Sequence, residues 1–453
     1  MKFTKPLALL VGLGLAASFA GCSGNNSSGV TATAGSSYSS TVDQGAGANA
    51  TAFEFWTFVE LHGKFYETMA GKWNAQHPDK QVKINVNVMP YDDMHNKLQL
   101  ALNAGEGVPD IVDIEVGKFP NFTAGTPQLM DLTQVAAPYA KDIVPARMKL
   151  YQMNGKQYGL PTHVGAMLAY YNTDLLTAAG VDYTTIKTWD DFKAAGAKYV
   201  AATGKPFSTA DTSAMWQISL LLGQNGSDYL TADGKLQVNN DTMAKGYQML
   251  KDMQDAGVLK TIDGGQPDTE QAYGLINSGE YAAVVMPEWF MSRYPAYMPD
   301  LAGKVAIAAP PVNADAKYKT IGQGGTGTAV PLKGKNPEAA AEFLAYAKLS
   351  VDGATEIWNS LGFDPTNMAL WSNQAVTHDP NNAFNKYFKN NVFDVLNTFK
   401  DSIGFLQSQT FQAMPNVNNA FGTTVQNEIF ENGADIKATL DQAQADLKNE
   451  LGQ

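Results

Sequence analysis

One cysteine, two arginines and five histidines are all that 453 residues supply of those three types. The single cysteine, Cys22, permits no disulfide within the chain and leaves no second thiol for redox chemistry. With only Arg147 and Arg293, the sequence argues against a site that grips a polyphosphate or several carboxylates through guanidinium forks. The histidines, His62, His77, His95, His163 and His378, show no paired ligand spacing, so neither a metal nor a cofactor is expected. Charge is sparse as well: 17% of residues are charged, 32 Lys+Arg against 44 Asp+Glu, for a formal net charge of -12. That balance repels nucleic acid and anionic headgroups and favours a neutral ligand.

Catalytic signatures are missing too. There is no G-x-S-x-G elbow, no H-E-x-x-H and no Walker loop, so no catalytic residue is assigned and an enzyme is not expected. Residues 322–327 read G-x-G-x-x-G but lead into Thr328-Ala329-Val330-Pro331 instead of opening a helix, which points to a flexible crossing segment whose amides approach a ligand. Asp379-Pro380-Asn381-Asn382 lacks the glycine and closing glutamate of a calcium loop and reads as a turn. Asp190-Asp191 could be imagined as glycosidase carboxylates, but one of them is explained by a helix cap.

What is present is globular: 44% hydrophobic and 10% aromatic residues, enough for two domains or one large one. Lys2 and Lys5 precede an apolar run over residues 7–20, which reads as an export signal over 1–22. The run ends in Phe19-Ala20-Gly21-Cys22, which resembles the lipobox of bacterial lipoproteins, in which the cysteine is lipidated. The expected location is the extracytoplasmic face of the cell membrane, with the chain held there by lipid at Cys22. Residues 23–50, rich in Ser, Gly, Thr, Ala and Asn, read as a flexible tether.

Beyond residue 50, alternating strands and amphipathic helices give an α/β pattern. Residues 53–58 alternate like a strand, and Phe65, Met69 and Trp73 recur at helical spacing over 61–77. Residues 82–88 form a second strand, followed by a helix from about Asp92 to Ala104, with Asp92 as its expected N-cap and Gly105 as its stop, and a buried strand over 109–114. Thr188-Trp189-Asp190-Asp191 resembles a capping box, Asn336-Pro337-Glu338 a helix start, and the last helix runs near 435–451.

Several stretches carry a family resemblance across nearly all of the mature chain: FEFWTF at 53–58, GEGVPDIVDIEVGKF at 105–119, YGLPTHVGAMLAYYNTDLLTAAGV at 158–181 with TWDDF after it, and MPEWF at 286–290 ahead of GQGGTGTAVP. They resemble extracellular solute-binding proteins of carbohydrate ABC importers, the family that includes maltose-binding protein. YDDMH, THVG, LKDM, YMPDL and LGFDP are similar to the arabino-oligosaccharide-binding branch of Gram-positive bacteria. The resemblance implies a two-lobed, type II periplasmic-binding-protein-like α/β fold with the ligand in the cleft between lobes. By analogy the crossings fall near 163–165, 310–322 and 361–365, with lobe 1 from 51–163 and 323–361, and lobe 2 from 164–310 and 365–453.

A sugar presents C–H faces and hydroxyl edges, so its site needs aromatic platforms together with hydrogen-bonding side chains. Trp56, Trp216 and Trp289 are the expected platforms, and Trp73 and Trp189 are read as core. Glu60, His62, Glu115, His163, Glu288 and Asp364 are the expected polar contacts, with Asn225 a weaker candidate and Gly324 and Gly325 offering backbone amides. The implied partners are an oligosaccharide, best matched by arabino-oligosaccharides, and the membrane subunits of an importer; the chain is expected to be a monomer that binds no nucleic acid. The alternatives are xylo-, malto- or galacto-oligosaccharides, a phosphorylated polyol or peptide on the same fold, or a secreted glycoside hydrolase.

Overall fold

The computed structural model describes residues 38–453, so the export signal, Cys22 and residues 23–37 lie outside the described residues. Strand β1 (Thr51–Thr57) pairs in parallel with β2 (Val82–Val88) and, on its other side, with β3 (Ile111–Glu115). Helices α1 (Glu60–Gln76) and α2 (Tyr91–Ala104) make the crossovers. The sheet is completed by Thr326–Ala329, antiparallel to β3, and by Leu160–Pro161 at its edge. Helices cover both faces of this parallel core, and the second half of β1 buries apolar side chains on each face. Phe53 and Phe55 pack with Phe65, Tyr66 and Met69 of α1, whereas Trp56 packs with Met94, Leu98 and Leu102 of α2.

The second lobe is built on Met167–Asn172, which lies between two antiparallel partners, Ala283–Pro287 and Val305–Ala308. Helices Trp189–Thr203, Trp216–Gln224, Asp241–Asp255 and Ile436–Leu451 pack around a second core with Phe207, Tyr229 and Phe421. Local signals set several ends. The Thr188 side chain accepts from the Asp191 amide while the Asp191 side chain accepts from the Thr188 amide, a full capping box. Gly105 ends α2 in the left-handed conformation, φ 71°, and Asp435 caps the last helix through the Ala438 amide. Asp92 is not an N-cap: α2 begins at Tyr91 and Asp92 sits in its first turn, near the positive end of the helix dipole.

Three stretches of chain meet between the lobes. His163 bridges Pro365, Ala166 bridges Gly322, and the Gln323 amide donates to Gly165 O at 2.9 Å. Asp364, fully buried, accepts from the amides of Gly165 and Ala166 at 2.8 and 3.0 Å, and its own amide donates to Glu288 Oε2 at 2.8 Å. Gly165 is required here: its φ is 64°, and a Cβ would fall 2.4 Å from Gln323 O.

Residues 38–50 are not a free tether. The Gln44 side chain accepts from Ile84 N at 2.7 Å and donates to Ile84 O at 3.0 Å, pairing with the backbone of β2 at the sheet edge. Asn74 Nδ2 donates to Gln44 O at 2.7 Å, and the Tyr38 hydroxyl donates to Glu67 at 2.5 Å. Composition alone reads this segment as linker because its apolar content is low, but its order comes from side-chain bonds to exposed backbone. A chain starting at Thr51 is expected to melt a few °C below one starting at Tyr38, since several hydrogen bonds worth ~1 kcal/mol each are lost. Thermal unfolding of the two chains checks this, and equal melting temperatures would return the segment to a tether.

Candidate functional site

A cavity of about 500 Å³ lies between the lobes. The first lobe contributes Glu115 at the end of β3, the residues from Val116 to Lys118 just beyond it, and Tyr91, Asp92, Arg147 and Leu150. The second contributes Ser213–Trp216 at the head of the Trp216–Gln224 helix, and Asn418, Asn419 and Thr423 near Met414–Ala420. Gly322, Gln323 and Gly324 close its back. Aromatic, amide and hydroxyl side chains share the lining with apolar and glycine positions, and the charges present are of both signs.

Of the expected residues, the structure brings Glu115, Trp216 and Gly324 to this cavity. Glu115 Oε2 accepts from the Gly117 amide at 2.7 Å and from the Tyr91 hydroxyl at 3.1 Å. Burial holds its carboxyl above the usual range, and these two bonds, with Lys118 and Arg147, offset that only in part. Trp216 is half-buried, and its indole N–H donates to Gln266 Oε1 at 2.9 Å. Gly324 adopts φ 67°, and a Cβ there would fall 3.0 Å from Trp289 Nε1.

Trp289 stands behind the wall and does not line it. It is 8% exposed, meets Trp216 edge-on at 5.5 Å and 68°, and donates from Nε1 to Gln323 O at 3.1 Å. Gln323 also donates from its side chain to Trp216 O at 2.8 Å, so one glutamine ties both tryptophans to the crossing segment.

The other candidates lie elsewhere, each for a physical reason. Trp56 is in the core of the first lobe, with the Lys97 ammonium 4.3 Å from its ring. Glu60 is exposed at the start of α1 and pairs with Lys64 one turn on. His62 is buried, 2.8 Å from Asp113, whose carboxyl burial would raise but His62 and Lys348 bring down to about 2. His163 is buried at the crossing, and burial together with the Arg147 charge holds its pKa well below the usual value, so its ring is neutral. Glu288 and Asp364 hold the crossings together, Gly325 turns at φ 106° and accepts from the Val116 amide, and Asn225 ends its helix by donating to Leu221 O. Trp73 and Trp189 are core, 7% and 2% exposed.

Sequence reasoning missed Arg147, His95 and the polar face over 409–423. Arg147, one of the two arginines too few to clamp an anion, is 1% exposed; it donates to His163 O and Gly324 O, and its Nη1 has no partner. His95 lies one turn beyond Tyr91: its Nδ1 donates to Tyr91 O at 2.7 Å and its Nε2 accepts the Glu115 amide at 3.2 Å. Burial lowers its pKa to about 4, against the pull of the Tyr91 carbonyl. Its contribution to stability is therefore complete above pH ~6.5 and lost as pH falls toward 4. His95→Leu is expected to flatten that acid limb in urea titrations between pH 4 and 7, and an unchanged slope would show that His95 does not create it. Among the described residues no group of three or more His, Cys, Asp or Glu could hold a metal ion, and no helix is long and apolar enough to cross a membrane.

Comparison with known proteins places this architecture. The family described as "Bacterial extracellular solute-binding protein" matches residues 60–350. The chain is 43% identical over 356 residues to the arabinooligosaccharide-binding protein of Bacillus subtilis (strain 168), spanning 78% of this chain and 82% of that protein. It is 38% identical over 381 residues to the arabinooligosaccharide-binding protein of Halalkalibacterium halodurans, spanning 84% and 85%. In fold it is similar to the cyclic α-maltosyl-1,6-maltose binding protein from Arthrobacter globiformis, with TM-score 0.73 and 22% identity over 88% of this chain and 100% of that one. It is also similar to the ABC transporter associated binding protein from B. animalis subsp. lactis Bl-04 in complex with β-1,6-galactobiose, with TM-score 0.70 and 20% identity over 89% and 98%. On sequence and architecture alike, this chain belongs to the bacterial extracellular solute-binding proteins, with their two-lobed α/β fold.

Proposed function

We propose that this protein captures neutral oligosaccharides, arabino-oligosaccharides above all, in the cavity between its lobes and delivers them to an ABC importer. The observation that carries the reading is an inter-lobe cavity lined by a half-buried tryptophan together with a carboxylate and several amides. An apolar sugar face stacks on Trp216 while hydroxyls reach Glu115, Asn418 and Asn419, each bond contributing ~0.5–1.5 kcal/mol, so selectivity rests on several acting together. The names of the relatives at 43% and 38% identity support arabinose-containing chains within that class.

Capture works by closure. Sugar held on one lobe draws the other onto it, because the closed state alone makes both sets of contacts. Lipid on Cys22 would hold the monomer at the extracytoplasmic face, where the importer's membrane subunits receive the closed form and other subunits use ATP. On this reading the chain binds without catalysing a reaction, so ligand is recovered intact.

The test is calorimetric titration of residues 38–453, which keep the docked segment, against arabino-, xylo-, malto- and galacto-oligosaccharides and the free pentoses. One-to-one binding of arabino-oligosaccharides with no hydrolysis supports the proposal. Preference for another series keeps sugar capture and overturns the choice of ligand, and release of shortened products replaces capture with hydrolysis.

A further inference from the structure

A second cavity, of about 410 Å³, opens between the same two lobes. Three stretches of chain line both cavities in turn. Gly117 and Lys118 reach the first, and Pro120 and Thr123 to Gly125 the second; Leu150 reaches the first, Gln152 and Met153 the second. Leu406 and Gln409 line the first, and Thr410 to Ala413 the second. Gln409 and Thr410, adjacent in the short turn Gln407–Thr410, line different cavities, so this turn lies at the partition between two neighbouring cavities.

The lining of the second compartment has its own chemistry. Neither lysine nor arginine contributes to it, and its one charged residue, Asp233, is already paired with Lys235 at 2.8 Å. An anionic ligand would find no counter-charge there. Phe411 offers a half-buried ring, and Thr123, Gln152 and the exposed Gln412 supply hydroxyl and amide groups beside it. A ring flanked by amides repeats, on a smaller scale, what Trp216 and its neighbours present on the other side of the partition.

We infer that this second compartment is an extension subsite, which takes the further units of a neutral oligosaccharide whose first units occupy the Trp216 cavity. The inference rests on the oligosaccharide reading above and adds to it that affinity depends on chain length. The compartment recognises uncharged, hydroxyl-bearing rings; Phe411 covers a C–H face and the amides bond hydroxyls. Short ligands fill the first compartment and leave Phe411 and Gln412 untouched.

The experiment titrates residues 38–453 and two variants, Gln412→Ala and Phe411→Leu, with arabino-oligosaccharides from the disaccharide to the hexasaccharide. Gln412 is exposed, so its truncation leaves folding intact if the Phe411 variant does not. Wild-type affinity is expected to rise with length beyond what the first cavity holds. Each variant is expected to lose about 3- to 10-fold on the longest chains and nothing on the shortest. Equal losses at every length, or none at any, would overturn the extension subsite while leaving sugar capture standing. Failure of every oligosaccharide to bind would overturn both.

Discussion

Asp364→Ala is expected to cost about 3–5 kcal/mol of folding stability, a large share of the ~5–15 kcal/mol typical of a folded protein. The carboxylate sits where the crossings meet, fully buried, and satisfies the amides of Gly165 and Ala166. Alanine leaves both donors in the interior without acceptors, and each such orphan costs about 1–3 kcal/mol. Part of the loss is returned, because Asp364 also repels charge on Glu288. Urea titration of the variant measures the balance, and a loss under ~1 kcal/mol would show that water or a shifted backbone supplies the missing acceptors.

Glu288 gives the same junction a pH dependence of defined sign. Burial, and then the Asp364 charge, push its carboxyl well above the usual range, while burial raises Asp364 to about 6 against the Gly165 and Ala166 amides and Arg147. Both groups hold protons in the folded chain that they release when unfolded, so their contribution is complete below the unfolded value of ~4 and is lost as pH rises through the folded one. His95 and His163 act with the opposite sign below pH ~6.5, so the test compares variants at one pH. Glu288→Gln keeps an acceptor for the Asp364 amide and carries no charge. It is expected to match the wild type within about 1 kcal/mol at acid pH and to gain on it as pH rises. A constant difference across pH would mean that Glu288 does not titrate in the folded chain.

Where structure is set by neighbours in sequence, the chain reads well. The strands and helices from Thr51 to Glu115, the Thr188 capping box and the Gly105 stop are short-range patterns, and the alternation of strand and helix gives the α/β class. Site residues are harder because their partners are remote. Trp56 reads as a platform from its place at the end of a strand, but a parallel strand covered on both faces has no free side there. Glu288 and Asp364 bond across 76 residues, and the backbone amides that fix their role reach them only where the crossings meet. Counting misleads for Arg147: two arginines are too few to clamp an anion, yet one suffices to tie His163 and Gly324 at the back of the cavity. Asn418, Asn419 and Thr423 carry no signal at all, since polar residues around a helix read equally well as a solvated face.

Trp216→Ala is expected to weaken oligosaccharide binding by about 100-fold, near 3 kcal/mol, with little change in melting temperature. The size of the effect comes from how the ring is held. Its N–H is fixed by Gln266, its backbone by Gln323 and its edge by Trp289, whose own ring lies 5.3 Å from the Arg293 guanidinium. Arg293 in turn is paired with Asp268 at 2.8 Å. A ring immobilised before the ligand arrives loses little entropy on binding, so nearly all of its stacking energy appears in the affinity. Trp216→Phe keeps a stacking face but loses the bond to Gln266, and should fall between wild type and alanine. Trp289→Phe tests the support separately: it removes the donor to Gln323 O without touching the cavity, so a smaller loss, about 3- to 10-fold, is expected. Calorimetry on the three variants ranks them, and wild-type affinity in Trp216→Ala would mean that the sugar lies away from this wall.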